Sequence, residues 1–314
     1  MKKKNTKAKY RLRNWKNYNE SLVKRGSLTV WFSEDVISAW KNRSRTGKRG
    51  RPREYTDTAI LTMATLQEIY HLALRQSQGL LGSIFELLKL DLKVPKFTTL
   101  SRRRAALEIE LLSRHRDKPV HLVVDSTGMK VFGEGEWKVR QHGYTYRRTW
   151  RKVHLGVDEG SGEVLAAVVT TNNYTDGQVL PELLDQVDAE IDQVSGDGAY
   201  DKRNCYQAIR KRKAKAAIPP RRNAKIWQRA NSKGERLARD QNLRRIRRVG
   251  RAAWKKESNY HRRSLAETAV FRLKLIFGGR ASARSFNGQA AQLLIRCAAL
   301  NQMTHLGMPD SYKA

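Results

Sequence analysis

The sequence has few of the residues from which small disulfide or zinc scaffolds are built. Its 314 residues include two cysteines, Cys205 and Cys297, and neither belongs to a Cys-x-x-Cys pair or a cysteine–histidine cluster. The sequence therefore indicates neither a disulfide framework nor a zinc site, and it fits a reducing, intracellular compartment. Three histidines, His121, His142 and His154, also lack metal-ligand spacing. We expect them to be structural or to contact phosphates.

Long apolar stretches are missing as well. No run of about 18 apolar residues occurs, so no membrane-spanning helix is predicted. Residues 1–4 are basic but lack a following apolar stretch, which argues against a secretory signal. We therefore expect a cytoplasmic protein without a membrane partner.

Acidic residues are scarce relative to basic ones. Lysine and arginine number 63 against 30 aspartates and glutamates, which gives a formal net charge of +33. A chain with this charge repels itself unless a polyanion neutralises it, and DNA and RNA are the usual polyanions. The basic residues run through the whole chain, whereas a histone-like or ribosomal protein would more often carry them in a tail.

Residues 1–115 show the pattern of helices joined by basic loops. Apolar residues stand at helical spacing over 58–74 and again over 80–90. Pro95 then interrupts the pattern, and the threonines that follow favour the start of a short basic helix. This layout is typical of a helix-turn-helix, so we predict an all-α DNA-binding region, with an ordinary helical bundle as the alternative. The arginines predicted to contact DNA here are Arg102, Arg103 and Arg104.

The segment 48–53, Lys-Arg-Gly-Arg-Pro-Arg, resembles the core of an AT-hook. Pro52 favours an extended backbone at Arg51, and a narrow A·T minor groove attracts inserted arginines. This pattern predicts DNA contacts by Arg49 and Arg51. Short matches of this kind are frequent in arginine-rich chains, so a plain basic linker is the alternative.

From residue 116 onward the pattern changes to short strands alternating with helices. Helices are predicted after the third and fourth strands, and again over 258–277 and 289–306. We therefore predict an α/β domain over 116–314, with an RNase H-like mixed five-stranded sheet and flanking helices, although several α/β folds share this order. The strands are predicted by β-prone runs at 120–125, 153–158, 164–170, 191–197 and 216–218.

Residues 221–257 are basic and poor in large apolar residues. This composition predicts a long loop or a partly ordered basic arm. Its cations, together with Trp227 and Trp254, are suited to binding DNA strands by charge and stacking. A solvated basic linker is the alternative.

Two aspartates stand where predicted strands end. Asp125 ends the first strand, and Asp197 ends the fourth between two glycines that let the backbone approach a ligand closely. Both positions also suit aspartates that only cap or form turns. Asp201 competes with Asp197, although it is better placed to cap the helix that follows.

A third acid, Glu267, belongs to a series of four regularly spaced residues. These four residues follow one another at intervals of three, four and seven, which places all of them on one face of a helix. Cleavage of a phosphodiester at neutral pH calls for two hard cations held by carboxylates, and such a stripe joins an acid to cations suited to phosphates. An exposed stripe of ion pairs is the alternative. The series is Tyr260, Arg263, Glu267 and Lys274.

Together these residues resemble the DDE transposases of bacterial insertion sequences. Asp125, Asp197 within Asp-Gly-Ala-Tyr, and the Tyr-Arg-Glu-Lys series match the motifs of that family. The stretches 15–32 and 97–103 resemble more narrowly the family of insertion sequence five and its nine-oh-three subgroup. The resemblance covers almost the whole chain.

The resemblance implies an RNase H-like catalytic domain in which Asp125, Asp197 and Glu267 hold two Mg²⁺ or Mn²⁺ ions. It implies a homo-oligomer, expected as a dimer, that acts on terminal inverted repeats and target DNA in the bacterial cytoplasm, in association with the nucleoid. The predicted function is that of a transposase that hydrolyses the element ends and joins the freed 3′-hydroxyl to target DNA. The residues implied to contact DNA beside the acids are Tyr260, Arg263 and Lys274.

Two other functions are weighed against this one. A domesticated transposase that acts as a DNA-binding repressor would not need the three acids, and their presence argues against it. An RNase H-like nuclease without strand transfer would need the same acids, so it stays open. A serine or tyrosine recombinase is disfavoured, because it would form a covalent protein–DNA adduct that this chemistry does not need.

Overall fold

The computed structural model describes residues 10–42, 52–114, 118–131, 150–228 and 237–314. The helices predicted over 58–74 and 80–90 are present, although the first ends earlier and the second begins earlier than predicted. Thr56 caps the first of them by accepting a hydrogen bond from Ala59 N at 3.1 Å. The elements before the sheet are β1 (Tyr10–Leu12), α1 (Trp15–Arg25), α2 (Leu28–Trp31), α3 (Glu34–Ser38), α4 (Asp57–Ile69), α5 (Leu74–Leu87) and α6 (Phe97–Arg104).

The central sheet is mixed and has six strands in the order β4-β3-β2-β5-β6, with β7 paired to the far end of β2. The first three strands run antiparallel in turn, while β5 and β7 are parallel to β2 and β6 is parallel to β5. This confirms the predicted mixed α/β sheet and is consistent with an RNase H-like fold, but the predicted number of five strands is wrong. The additional strand is β7, whose two residues are too few to show strand alternation in the sequence. The strands are β2 (Val120–Val131), β3 (Trp150–Asp158), β4 (Val164–Thr171), β5 (Ile191–Ser195), β6 (Lys215–Ala217) and β7 (Arg280–Ala281).

Helices cover both faces of the sheet. One face packs Leu122 and Val124 against α7 and α8, and the other packs Val123 and Leu155 against α11 and α12. Adjacent residues of β2 therefore enter different cores, because successive side chains of a strand point to opposite faces. The later helices are α7 (Asp176–Asp185), α8 (Arg203–Lys211), α9 (Ala238–Val249), α10 (Arg251–Glu257), α11 (Ser264–Phe277) and α12 (Phe286–Leu306).

The segment predicted as a loop or partly ordered arm is helical from residue 238 to residue 257, apart from one glycine between α9 and α10. Trp254 is buried, and Trp227 lies under the Arg239 guanidinium, with 3.8 Å between Arg239 Cζ and the ring centroid. The prediction is wrong in this part because cation–π contacts and ion pairs replace the large apolar side chains on which it relied.

The N-terminal helices share a core with one face of the sheet. Ile60 and Met63 of α4 belong to the same buried cluster as Leu293 and Leu300 of α12. The predicted division into regions 1–115 and 116–314 remains a prediction. Within the described ranges, every helix is too short or too polar to span a lipid bilayer.

A buried ion cluster joins α4, α6 and α12. Glu68 Oε2 accepts a hydrogen bond from Arg296 Nε at 2.8 Å, and Glu68 Oε1 lies 3.7 Å from Arg104 Nη1. Gln292 Nε2 donates to Glu68 Oε1 at 2.9 Å. Arg296 Nη1 also donates to the backbone oxygen of Arg280 in β7, at 2.6 Å. Because all three charged side chains are buried, the cluster fastens the N-terminal helices to the sheet away from solvent.

We expect the substitution Glu68→Gln to destabilise the protein strongly. Removing one partner of a buried ion pair typically costs about 3–5 kcal/mol, because the remaining charges stay buried without compensation. Urea denaturation followed by circular dichroism measures the loss. Glu257→Gln, in an exposed ion pair with Arg245, is the matched control and is expected to leave the transition midpoint close to that of the wild type. Equal midpoints for the two variants would contradict the role given to Glu68.

Candidate active site

Asp125 and Asp197 lie side by side at a break in the sheet. The last parallel pair between β2 and β5 joins Val123 to Ser195, and each aspartate follows two residues later on its own chain segment. Strand alternation places the Asp125 side chain on the same face as Val123, and Asp197 begins the turn that follows β5 at the same level of the sheet. The sequence predicted that Asp197 ends the fourth strand, but β5 ends two residues earlier, at Ser195.

Asp125 does not end its strand, contrary to the prediction. β2 continues to Val131, and Asp125 pairs with Leu155 of β3 in the middle of the antiparallel ladder. What ends near Asp125 is the neighbouring strand β5, and β7 joins the same side of β2 only at Lys130. Between them, in the described part of the chain, β2 has a strand on the β3 side alone, which leaves a notch beside the acid.

Asp197 is held by the turn that it begins. Its Oδ1 accepts a hydrogen bond from Ala199 N at 2.8 Å and caps the 3-10 helix Gly198–Tyr200. Gly196 is needed here because a Cβ atom would lie 2.7 Å from Cδ2 of the buried Tyr200 ring. The glycine thus allows close packing inside the protein, whereas the sequence suggested close approach to a ligand.

Asp201, the competing acid, has a structural role in this arrangement. Arg239 Nε donates to Asp201 Oδ1 at 2.7 Å, and the hydroxyl of Tyr206 donates to the same oxygen at 3.2 Å. The carboxyl group is buried in this ion pair. The helix that follows is preceded by Lys202 at the capping position, so the predicted helix cap is wrong.

Glu267 stands in the first turn of α11, directly after a 3-10 helix that spans Tyr260–Arg263. The single helix predicted over 258–277 is therefore interrupted, and Asn259 has a left-handed backbone with φ of 51° just before the break. Arg263 Nη2 donates a hydrogen bond to Glu267 Oε1. The Arg263 guanidinium lies over the Tyr260 ring, with 5.8 Å from Cζ to the centroid.

The electrostatics show that the three acids form one cluster. Burial raises the pKa of the Asp125 carboxyl above its ordinary value, and repulsion from Asp197 and Glu267 raises this pKa further. The backbone N–H of Ser126 and the positive charge of Arg263 act in the opposite direction on the same pKa. Since these charges all act on Asp125, the structure brings together the acids that the sequence selected.

Tyr260 belongs to the same cluster. Burial raises the pKa of its hydroxyl, and Asp197 and Glu267 contribute to this shift. Its ring also packs against Trp254, with 6.0 Å between the centroids. Lys274 stands two turns after Glu267 on the same side of α11 and is partly exposed.

Carboxylate oxygens are the donors that Mg²⁺ and Mn²⁺ prefer, and mutually repelling carboxylates are stabilised by a shared cation. The donor set of Asp125, Asp197 and Glu267 therefore fits a divalent ion chemically. Among the described residues, no three His, Cys, Asp or Glu side chains converge closely enough to hold an ion as they stand. Glu267 Oε1 instead accepts the hydrogen bond from Arg263.

Two contacts hold the segment 258–263, which precedes Glu267 and is called the turn below. The sequence did not predict these contacts. Gln193 Nε2 donates to the backbone oxygen of Ser258 at 2.9 Å, which links β5 to the start of the turn. Arg262 forms an ion pair with Glu159 in the turn between β3 and β4. The polar residue Gln193 in a strand pattern was the one available signal, and nothing in the sequence indicated its partner.

Two of the three histidines have structural roles. His121 Nε2 lies 2.8 Å from Ser195 Oγ, and His154 Nε2 lies 3.0 Å from Thr170 Oγ1 inside the sheet. Both contacts join neighbouring strands. His142 lies outside the described residues.

The arginines predicted to bind DNA in α6 face in different directions. Arg102 is exposed, whereas Arg103 donates to Asp57 and to the backbone oxygen of Tyr55. The Arg104 side chain is only 5% exposed and belongs to the Glu68 cluster. Of the three arginines, Arg102 is therefore the one most exposed to solvent, while Arg104 is part of the buried core. Arg49 and Arg51 lie outside the described residues.

Comparison with known families agrees with this geometry. A family model described as a transposase DDE domain matches residues 116–302, which is more than half of the chain. The chain belongs to the DDE transposases. A second model with the same description matches residues 23–134 of this transposase, so the family pattern also covers the N-terminal helices and Asp125. No solved structure matches the chain.

We expect Gly196→Ala to destabilise this transposase by about 1–3 kcal/mol, because the new methyl group must displace the Tyr200 ring or the strand. Gly198→Ala is the matched control, since its Cβ would meet the backbone oxygen of Pro219 at an ordinary 3.7 Å. Thermal denaturation of both variants measures the difference. A loss in Gly198→Ala as large as that in Gly196→Ala would contradict the packing role.

Proposed function

We propose that this chain is the transposase of a bacterial insertion sequence. It binds the terminal inverted repeats, hydrolyses the phosphodiester at each element end and joins the freed 3′-hydroxyl to target DNA. The supporting observation is the cluster of Asp125, Asp197 and Glu267 beside the notch of the sheet. In this cluster Asp197 and Glu267 both raise the pKa of the Asp125 carboxyl group.

In this proposal Asp125, Asp197 and Glu267 hold two divalent ions, Mg²⁺ or Mn²⁺. When bound, such ions would provide the activation of the oxygen nucleophile and the charge relief on the leaving oxygen that phosphodiester cleavage needs. The chain itself supplies rigid carboxylates. Asp125 is fixed within a strand and by the N–H of Ser126 at 2.9 Å, and Asp197 is fixed by its turn. Of the three, the Glu267 side chain is exposed by 53%, so it is the one free to adjust.

Tyr260, Arg263 and Lys274 are proposed to hold DNA beside the acids. The guanidinium of Arg263 suits two oxygens of one phosphate. Lys274 is placed two turns further along α11, where it suits a neighbouring phosphate. Tyr260 packs against Trp254, and the ring of Tyr260 lies under the Arg263 guanidinium.

Binding of double-stranded DNA away from the acids rests on charge. With a formal net charge of +33, the chain gains affinity by releasing the counterions of DNA. Arg102 remains a proposed contact of the N-terminal region, and Arg49 and Arg51 remain predicted contacts. We also propose that the protein acts as a homo-oligomer, expected as a dimer. Its proposed subgroup is the family of insertion sequence five, with the nine-oh-three subgroup, and its proposed location is the cytoplasm near the nucleoid.

A non-catalytic repressor is the main rival from another class. It would not need Asp197 and Glu267 to lie close enough to Asp125 to repel its charge, so this arrangement favours the enzyme. A nuclease without strand transfer would have the same acids, and only a joining assay separates it from the transposase.

We expect Asp125→Asn, Asp197→Asn and Glu267→Gln each to abolish DNA cleavage while binding of the element ends is retained. Each change removes a charge needed to hold the cations but leaves the DNA-binding surface intact. A supercoiled plasmid that carries the gene with its native flanking DNA, incubated with Mg²⁺ or Mn²⁺, reports cleavage. A gel-shift assay with the same flanks in EDTA reports binding.

Asp192→Asn is the matched control, because Asp192 is an exposed acid at the other end of β5 and pairs with Lys215. It is expected to cleave as the wild type does. Full cleavage by any of the three site variants would remove that acid from the assignment. Precut ends that yield no joined products with the wild type would favour the nuclease.

A further inference from the structure

Arg263 is the positively charged residue that interacts with two of the three acids, Glu267 and Asp125. It donates a hydrogen bond to Glu267 and its charge also acts on Asp125. Burial alone would lower the pKa of Arg263, but Tyr260, Glu267 and Asp125 outweigh burial and raise it. The guanidinium therefore provides the positive charge that balances the acid cluster in the DNA-free protein.

We propose that Arg263 is a resident counter-cation: it competes with the divalent ion for Glu267 in the DNA-free protein and transfers to a DNA phosphate when the substrate arrives. The inference rests on the proposed metal site and adds a second role to a residue so far assigned only to DNA contact. It explains why the three acids do not converge on an ion position among the described residues.

The surroundings of Arg263 allow its guanidinium to change partner, from Glu267 to a phosphate, without movement of the backbone. The turn is held at one end by Gln193 on the Ser258 oxygen and near its other end by the ion pair of Arg262 with Glu159. The Arg263 side chain is 21% exposed, so its guanidinium is reachable from solvent. Rotation of the Arg263 and Glu267 side chains then breaks the hydrogen bond between them and leaves the Glu267 carboxylate available to an ion.

The exchange couples DNA binding to ion binding. A phosphate that accepts the Arg263 guanidinium releases Glu267, and an ion on Glu267 releases the guanidinium. Each ligand therefore raises the affinity for the other, as thermodynamic linkage requires. A consequence is that the DNA-free enzyme binds the ion weakly.

Ion binding by the DNA-free protein tests the first half of the proposal. Mn²⁺ titration followed by electron paramagnetic resonance counts free and bound ions without DNA. We expect Arg263→Gln to bind Mn²⁺ about fivefold more tightly than the wild type, because a positive charge and a competing partner of Glu267 are both removed. This gain should vanish in the Arg263→Gln, Glu267→Gln double variant.

Arg245→Gln is the matched control for charge, since Arg245 forms an exposed ion pair with Glu257 away from the acids. It is expected to leave Mn²⁺ affinity unchanged. Equal or weaker Mn²⁺ binding by Arg263→Gln, while Glu267→Gln loses binding, would overturn the counter-cation role but keep the metal site. Binding that none of the three acid substitutions weakens would overturn the metal site and this inference together.

DNA binding in EDTA tests the second half. We expect Glu267→Gln to bind the end-containing duplex severalfold more tightly than the wild type, because it frees Arg263 for a phosphate. The same substitution in the Arg263→Gln background should give a clearly smaller gain, and this difference is the coupling energy of the pair. Equal gains in the two backgrounds would show that Glu267 acts through general repulsion of DNA, and the transfer would be excluded.

Discussion

Glu68 is a single buried carboxylate shared by two buried arginines, and much of the architecture depends on it. Its partners come from α6 and α12, and Arg296 extends the contact to the backbone of β7. β7 in turn pairs with the end of β2 and closes one side of the notch beside Asp125. The shape of the active-site region is therefore linked to an ion pair in the helical region, within one continuous core.

The chain contains 63 basic and 30 acidic residues. The acidic residues discussed above fall into two groups. Most of the buried ones, such as Glu68 and Asp201, are each matched to arginines and stabilise the fold. The acids at the notch instead act on one another, and Arg263 is the cation that acts on Asp125 and Glu267. This concentration of mutually repelling carboxyl groups within a strongly positive protein distinguishes the site from the other acidic residues.

The sequence predicted the parts of the molecule that depend on local pattern. Five strands of the central sheet follow from runs of β-prone residues, and the helices predicted over 58–74 and 80–90 follow from apolar residues at helical spacing. It could not predict which way Arg104 faces, because its partner Glu68 is distant in sequence. It also missed α9 and α10, whose burial depends on Arg239 and Trp227, and β7, which is too short to show alternation. Contacts between distant residues account for these errors.

A last strand, β8 (Ser311–Lys313), pairs antiparallel with β1. Asn14 donates a hydrogen bond to the backbone oxygen of Met308 and accepts one from the backbone N–H of Asp310. During synthesis the first of these strands emerges long before the second, by roughly 15 to 60 s at ordinary ribosome speeds. Until then α1 lacks its final anchor, so assembly of the native N-terminal region can finish only after nearly the whole polypeptide has been made. A product truncated before residue 308 would therefore lack the residues that hold its N-terminal segment in place.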